Sequence, residues 1–219
     1  MFTDFVCISE NENLAVKLLP HCKQLIKQCG YDKEYPNGLT TYGQNNKNLR
    51  DFRNWNPVFN ELIIWVLEQA EKYKLHAGFN HKHKLTPIIR SMWVSEQFEN
   101  GYHEMHQHLG HKDHISGNFY IHTPPGAGTL TFKRFDFDYD SWKQIPKSSN
   151  YAEYNSLRYE FFPKCGQNLM WKSTIHHGTR VNLCNSRIAI SYNIELQNAN
   201  EWPDAGMKDM SLNYEHGNT

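Results

Sequence analysis

The chain predicts an α+β fold, and three observations carry that expectation: apolar residues at helical spacing in the first third, short β-like segments from residue 85 onward, and one clean alternation after Arg187. Helices first and antiparallel-type strands afterwards put the helices over one side of a sandwich or barrel. At 219 residues the chain is read as one domain, 1–219, with a helical part over 1–84 and a β core over 85–200.

The first expected helix runs from Asn11 to Cys29, with apolar residues at Leu14, Leu18, Leu19, Leu25 and Ile26. Pro20 should kink or divide it, because proline has no N–H to donate and crowds the preceding turn. The second follows Asn56-Pro57, a capping side chain and then a residue whose fixed φ suits the first helical position. Phe59, Leu62, Ile63, Val66, Ala70 and Tyr73 give that helix one apolar face to about Tyr73. Between the two, Tyr35 to Trp55 is rich in Asn, Gly and Thr and reads as a loop or a substrate-facing arm.

The expected strands are Leu85–Phe98, Gly117–Thr123, Gly128–Arg134, Asn168–Lys172, Gly178–Leu183 and Arg187–Gln197, with Gly, Pro and Asn between them. In the last, Ile188, Ile190, Tyr192 and Ile194 share one face, and Arg187, Ala189, Ser191 and Asn193 share the other. Residues 135–162 read as a long insertion, and stretches of that length usually serve function or move. The polar tail after Trp202 is expected to be loosely held.

Composition excludes several classes of function. Lysine plus arginine equals aspartate plus glutamate at 23 each, so charge gives no reason to expect a nucleic-acid or membrane-surface binder. The five cysteines are scattered and form no C-x-x-C pair, which suits reduced thiols in the cytoplasm. The N-terminus lacks the basic and apolar regions of a signal peptide, and no apolar run approaches the ~20 residues that span a bilayer. The expectation is a soluble cytoplasmic protein.

Histidine is the concentrated signal. His103, His106, His108, His111 and His114 fall within twelve residues, just before the expected strand at Gly117. Imidazole is the commonest protein ligand for transition metals. In an extended segment, His106 and His108 leave the same face and can meet one ion. A third ligand must come from afar, and His176-His177 offers it. Three protein ligands on one side of an octahedral ion leave three positions open for chemistry, as in non-haem iron oxygenases; zinc with three histidines and a water is the competitor. His81 and His83 repeat the spacing in a lysine-flanked stretch and read as surface.

Further motifs give these residues a context. Trp93, Gly101, His106-Gln-His108, Ser116-Gly-Asn-Phe-Tyr-Ile121, Gly128-Thr-Leu-Thr-Phe132, Pro163-Lys-Cys-Gly166, Ser173-Thr-Ile-His-His177 and Arg187-Ile-Ala-Ile-Ser-Tyr-Asn193 occur in this order. Over roughly residues 38 to 195 the chain resembles the 2-oxoglutarate/Fe(II)-dependent oxygenases of the prolyl-hydroxylase-like group found in marine bacteria and their phages. The resemblance implies a double-stranded β-helix, a jelly roll like that of the cupins, with the N-terminal helices packed on its outer face. It implies Fe(II) as cofactor and 2-oxoglutarate as co-substrate, O₂ consumed, and succinate and CO₂ released as a small-molecule or peptide substrate is hydroxylated.

The family's S-x-x-x-H pattern favours His177 over His176 as the distal ligand, with His106 and His108 as the other two. Asp113 is the alternate for the middle ligand and His176 for the distal one; His108 can also be the first ligand, with His111 or Asp113 second. Arg187, ten residues beyond His177, can reach the far carboxylate of 2-oxoglutarate as a bidentate pair. Tyr120 and Asn118 share a strand face and, with Ser191, are candidate co-substrate contacts. Two rival readings stand beside this one. A cupin-type metalloprotein, isomerase or dioxygenase, would use Gly101, His106-x-His108 and Asp113 without 2-oxoglutarate. A binding module would carry its histidines incidentally.

Overall fold

The computed structural model describes residues 6–30, 36–77, 85–108, 112–133 and 158–198. His81, His83, His111, most of the 135–162 stretch and the tail after Trp202 lie outside these residues. Ten strands and three α-helices are described in the order β1 (Val6–Glu10), α1 (Glu12–Ile26), β2 (Gly38–Thr40), α2 (Lys47–Arg50), α3 (Phe59–His76), β3 (Leu85–Gln97), β4 (His103–His106), β5 (Ile115–His122), β6 (Leu130–Lys133), β7 (Arg158–Phe161), β8 (Gln167–Lys172), β9 (His176–Thr179) and β10 (Arg187–Asn198).

The strands form two antiparallel sheets: a major one ordered β1-β8-β5-β10-β3-β2 and a minor one ordered β4-β9-β6-β7. This is the double-stranded β-helix, with helices layered on the major sheet. β10 lies at its centre and divides its residues by parity, as the alternation in sequence requires. Ile188, Ile190, Tyr192 and Ile194 join Leu14, Leu18, Leu62, Val66 and Tyr73 in the core between helices and sheet. Ala189 faces the other way and packs with Tyr120, Leu130, Phe132 and Trp171 between the sheets.

Two helices match their expected apolar faces. In α1 the Asn11 side chain accepts from the Leu14 N–H at 3.1 Å. Pro20 does not divide this helix. It sits on the exposed side, where the carbonyl it leaves unpaired meets water, while Leu14, Leu18, Cys22 and Ile26 bury a continuous stripe on both sides of it. In α3 the stripe from Phe59 to Tyr73 is buried as read, but the helix starts at Phe59: Asn56 Oδ1 accepts from the Val58 N–H at 3.0 Å and closes a turn first.

From residue 36 to Trp55 the stretch is more ordered than a loop. It holds β2, which extends the major sheet beside β3, then α2 and a 3₁₀ turn at Phe52–Asn54. Asn46 and Asp51 cap these short helices, so the polar residues that suggested a loop are their start signals. The expected Gly178–Leu183 strand lies earlier, as β9, and β1, β2, β4 and β7 have no counterpart among the expected strands.

Candidate metal centre

The cavity between the sheets gathers the expected histidines. One ring nitrogen from each of His106, His108 and His177 lies within 4.8 Å of the others. His106 ends β4 and His177 sits opposite it in β9, with ring centroids 4.3 Å apart. His108 follows the strand, held by its backbone N–H donating to the Ser173 carbonyl at 3.0 Å; its ring lies 5.4 Å from His177 and nearly parallel to it.

The hydrogen bonds set the tautomers of two of them. His177 Nδ1 lies 2.7 Å from the Ile175 carbonyl and His106 Nδ1 lies 2.9 Å from the Glu104 carbonyl. A carbonyl only accepts, so Nδ1 carries the proton in both and Nε2 keeps its lone pair. Trp171 Nε1 also lies 3.2 Å from His177 Nδ1, a contact that would need an acceptor there. The shorter carbonyl contact decides the proton, and Trp171 serves as an apolar wall edge-on to the ring, itself packed on Phe132.

Burial keeps His106 and His177 neutral. It pushes His177 well below the ordinary histidine value, with His106 and His108 adding repulsion. It lowers His106 too, against the Glu104 carbonyl, and drives His103 down to about 4 with help from its histidine neighbours and Arg187. A neutral imidazole is what a metal ion takes up.

The two alternates stand outside that cluster. Asp113 Oδ2 is 3.8 Å from His108 Nδ1 and outside the three-histidine cluster. His176 is the register partner of Lys133, one residue out of phase with His177 and so on the opposite face of β9. His108 Nδ1 also lies 3.2 Å from Asn193 Nδ2, and Asn193 Oδ1 contacts Ser116 Oγ at 2.8 Å, which contacts Ser173 Oγ at 2.9 Å. In the sequence Ser173 stands out only as a motif position, and Asn193 as a residue on the Arg187 face of the last strand. Asn193 in β10 and Ser116 in β5 are register partners, and with Ser173 just after β8 they form a polar cradle for His108.

At the other end of the cavity stands Arg187, 2 % exposed. Its Nη1 donates to Gln97 Oε1 at 2.6 Å, and its guanidinium carbon lies 5.0 Å from the centroid of the Tyr120 ring. Nε and Nη2 have no hydrogen-bond partner among the described residues. Those two N–H groups form one parallel edge, the shape that pairs with a carboxylate. A buried cation with an unsatisfied edge is costly unless a ligand completes it. Asn118 and Ser191 line the cavity as expected. Tyr120 is fully buried between the sheets, and its place is under the guanidinium.

The donor set fits the groups that the motifs suggest: three imidazoles for a transition metal at one end, and an unpaired guanidinium edge for a dicarboxylate at the other. Comparisons with known proteins point the same way. The 2OG-Fe(II) oxygenase family model matches residues 91–193, the stretch that holds every residue of this cavity named above. No curated protein matches the chain in sequence.

Solved structures share the fold at low identity. A prolyl-4-hydroxylase from Pseudomonas putida is 9% identical, with a TM-score of 0.59, covering 90% of this chain and 95% of that one. A prolyl hydroxylase from Trichoplax adhaerens, in complex with a hypoxia inducible factor oxygen degradation domain peptide fragment, is 13% identical, with a TM-score of 0.56 and coverage of 88% and 84%. HygX from Streptomyces hygroscopicus, with nickel, 2-oxoglutarate and hygromycin B bound, is 14% identical, with a TM-score of 0.54 and coverage of 89% and 84%. Family match, fold and three-histidine cluster together support a 2OG-Fe(II) oxygenase, an oxidoreductase that uses Fe(II) and 2-oxoglutarate.

Proposed function

We propose that the protein is a cytoplasmic Fe(II)- and 2-oxoglutarate-dependent hydroxylase of the prolyl-hydroxylase-like group of marine bacteria and their phages. His106, His108 and His177 hold the metal, and Arg187 holds the far carboxylate of 2-oxoglutarate. The observation that carries the reading is the unpaired Nε–Nη2 edge of buried Arg187, in the same cavity as the three histidines. A cupin that does not use 2-oxoglutarate has no need of that edge.

When bound, Fe(II) and 2-oxoglutarate supply the oxidising chemistry, in which O₂ and 2-oxoglutarate are consumed, succinate and CO₂ leave, and a substrate C–H becomes C–OH. The protein's own part is placement. His106 and His177 present lone pairs already fixed by backbone carbonyls, so little reorganisation accompanies loading. Asn118 and Ser191 line the same cavity and would offer polar contacts to the co-substrate. Trp171 and Phe132 keep water from behind His177. The substrate is a small molecule or a peptidyl or amino-acid side chain; the Trichoplax neighbour's peptide fragment favours the peptidyl case.

Anaerobic titration with Fe(II) and 2-oxoglutarate tests this directly. The chelate should give a weak visible charge-transfer band that Arg187→Ala diminishes at equal 2-oxoglutarate concentration. No band in the wild type, or an undiminished one in Arg187→Ala, sinks the proposal.

A further inference from the structure

Arg187 donates to a neutral side chain, Gln97. Gln97 is its register partner across β3 and β10, is wholly buried, and accepts from Nη1 at 2.6 Å. A guanidinium only donates, so the Gln97 atom facing it must be the amide oxygen, which fixes the amide's orientation. The amide nitrogen then donates to Thr179 Oγ1 at 2.8 Å, and that oxygen accepts the backbone N–H of His103 at 2.7 Å. Gln97 thus ties the major sheet to the β4–β9 pair that carries His106 and His177.

We propose that Gln97 is the positioning residue that makes this site selective for a 2-oxo acid with a second carboxylate. By holding Nη1 it turns the Nε–Nη2 edge toward the cavity, where that edge has no protein partner. Because it is an amide and not an acid, it orients the guanidinium without neutralising it, and no ion pair to Arg187 is found among the described residues. The full charge is left for the ligand. This inference rests on the reading of Arg187 given under Proposed function.

The test compares two ligands that differ only at the far end. 2-Oxoglutarate and 2-oxopentanoate, which has a methyl in place of the second carboxylate, are titrated calorimetrically into Mn(II)-loaded protein, so no turnover intervenes. Wild type should prefer 2-oxoglutarate. Gln97→Met should lose about tenfold in 2-oxoglutarate affinity, the scale of one hydrogen bond to a charged group, with 2-oxopentanoate unchanged. Gln97→Glu keeps shape and acceptor but cancels the charge, and should lose at least as much. It carries the test alone if Gln97→Met fails to fold.

Equal losses for both ligands would mean a general structural role and overturn the inference, as would unchanged 2-oxoglutarate affinity in the variants. A wild type that binds both acids alike would instead overturn the reading of Arg187 itself.

Discussion

His106 and His177 are register partners across the β4–β9 pair, with ring centroids 4.3 Å apart. Directly opposed positions on antiparallel strands bring side chains this close without ordering a loop. His176, one residue away, is carried to the other face. Metal content should therefore separate the two neighbours. His177→Ala or His106→Ala should lower Co(II) affinity by more than the ~10–100-fold that outer-sphere changes cost, while His176→Ala keeps one equivalent. Elemental analysis and the cobalt absorption spectrum report this, and full loading of His177→Ala contradicts it.

Asn193 should matter to the metal without touching it. Its amide is in hydrogen-bond contact with His108 Nδ1 and is itself held by Ser116. Asn193→Ala frees the His108 ring, and metal affinity should fall roughly 10–100-fold while fold and family topology persist. Affinity equal to wild type in a Co(II) competition titration would remove Asn193 from the site's support.

Gly117 is required by close packing. A Cβ there would lie 2.4 Å from the Tyr192 hydroxyl oxygen and 2.5 Å from its ring carbon. Tyr192 is fully buried and bonded to Asn168, so it has nowhere to move. Gly117→Ala should cost roughly 1–3 kcal/mol, the usual scale of overpacking, read as a lower urea midpoint. An unchanged midpoint would show that the β5–β10 contact yields.

The metal-free protein should lose stability as pH falls. Burial holds His103 at about 4 and lowers His106 and His177 as well, whereas the unfolded chain titrates near the ordinary ~6.5. Between those values the unfolded state binds more protons, so stability is full above the unfolded value and declines toward the folded ones. Urea midpoints measured with chelator at about pH 7.5 and about pH 5 should differ in that direction, and His103→Gln should shrink the difference. An equal difference in His103→Gln would assign the acid sensitivity elsewhere.

Legibility in the sequence followed periodicity. β10 and α3 were readable because their alternation and their 3.6-residue stripe each bury one face in a single core. β1, β2, β4 and β7 span three to five residues each, too short for a period to stand out, and lie at sheet edges where pairing partners define them. The histidines were legible as a cluster because their chemistry is rare. Gln97 was not, since a glutamine at a strand end has no signature until register sets it beside Arg187.

β10 writes two messages in alternate letters. Ile188, Ile190, Tyr192 and Ile194 spell the core, and Arg187, Ala189, Ser191 and Asn193 spell the cavity. Point changes to the cavity letters can retune which acid or substrate is accepted while the core reads as before, which gives the scaffold room to diversify. A single-residue insertion or deletion within β10 has no such freedom. It exchanges the two messages downstream, burying polar groups among the helices and turning isoleucines into the reaction chamber.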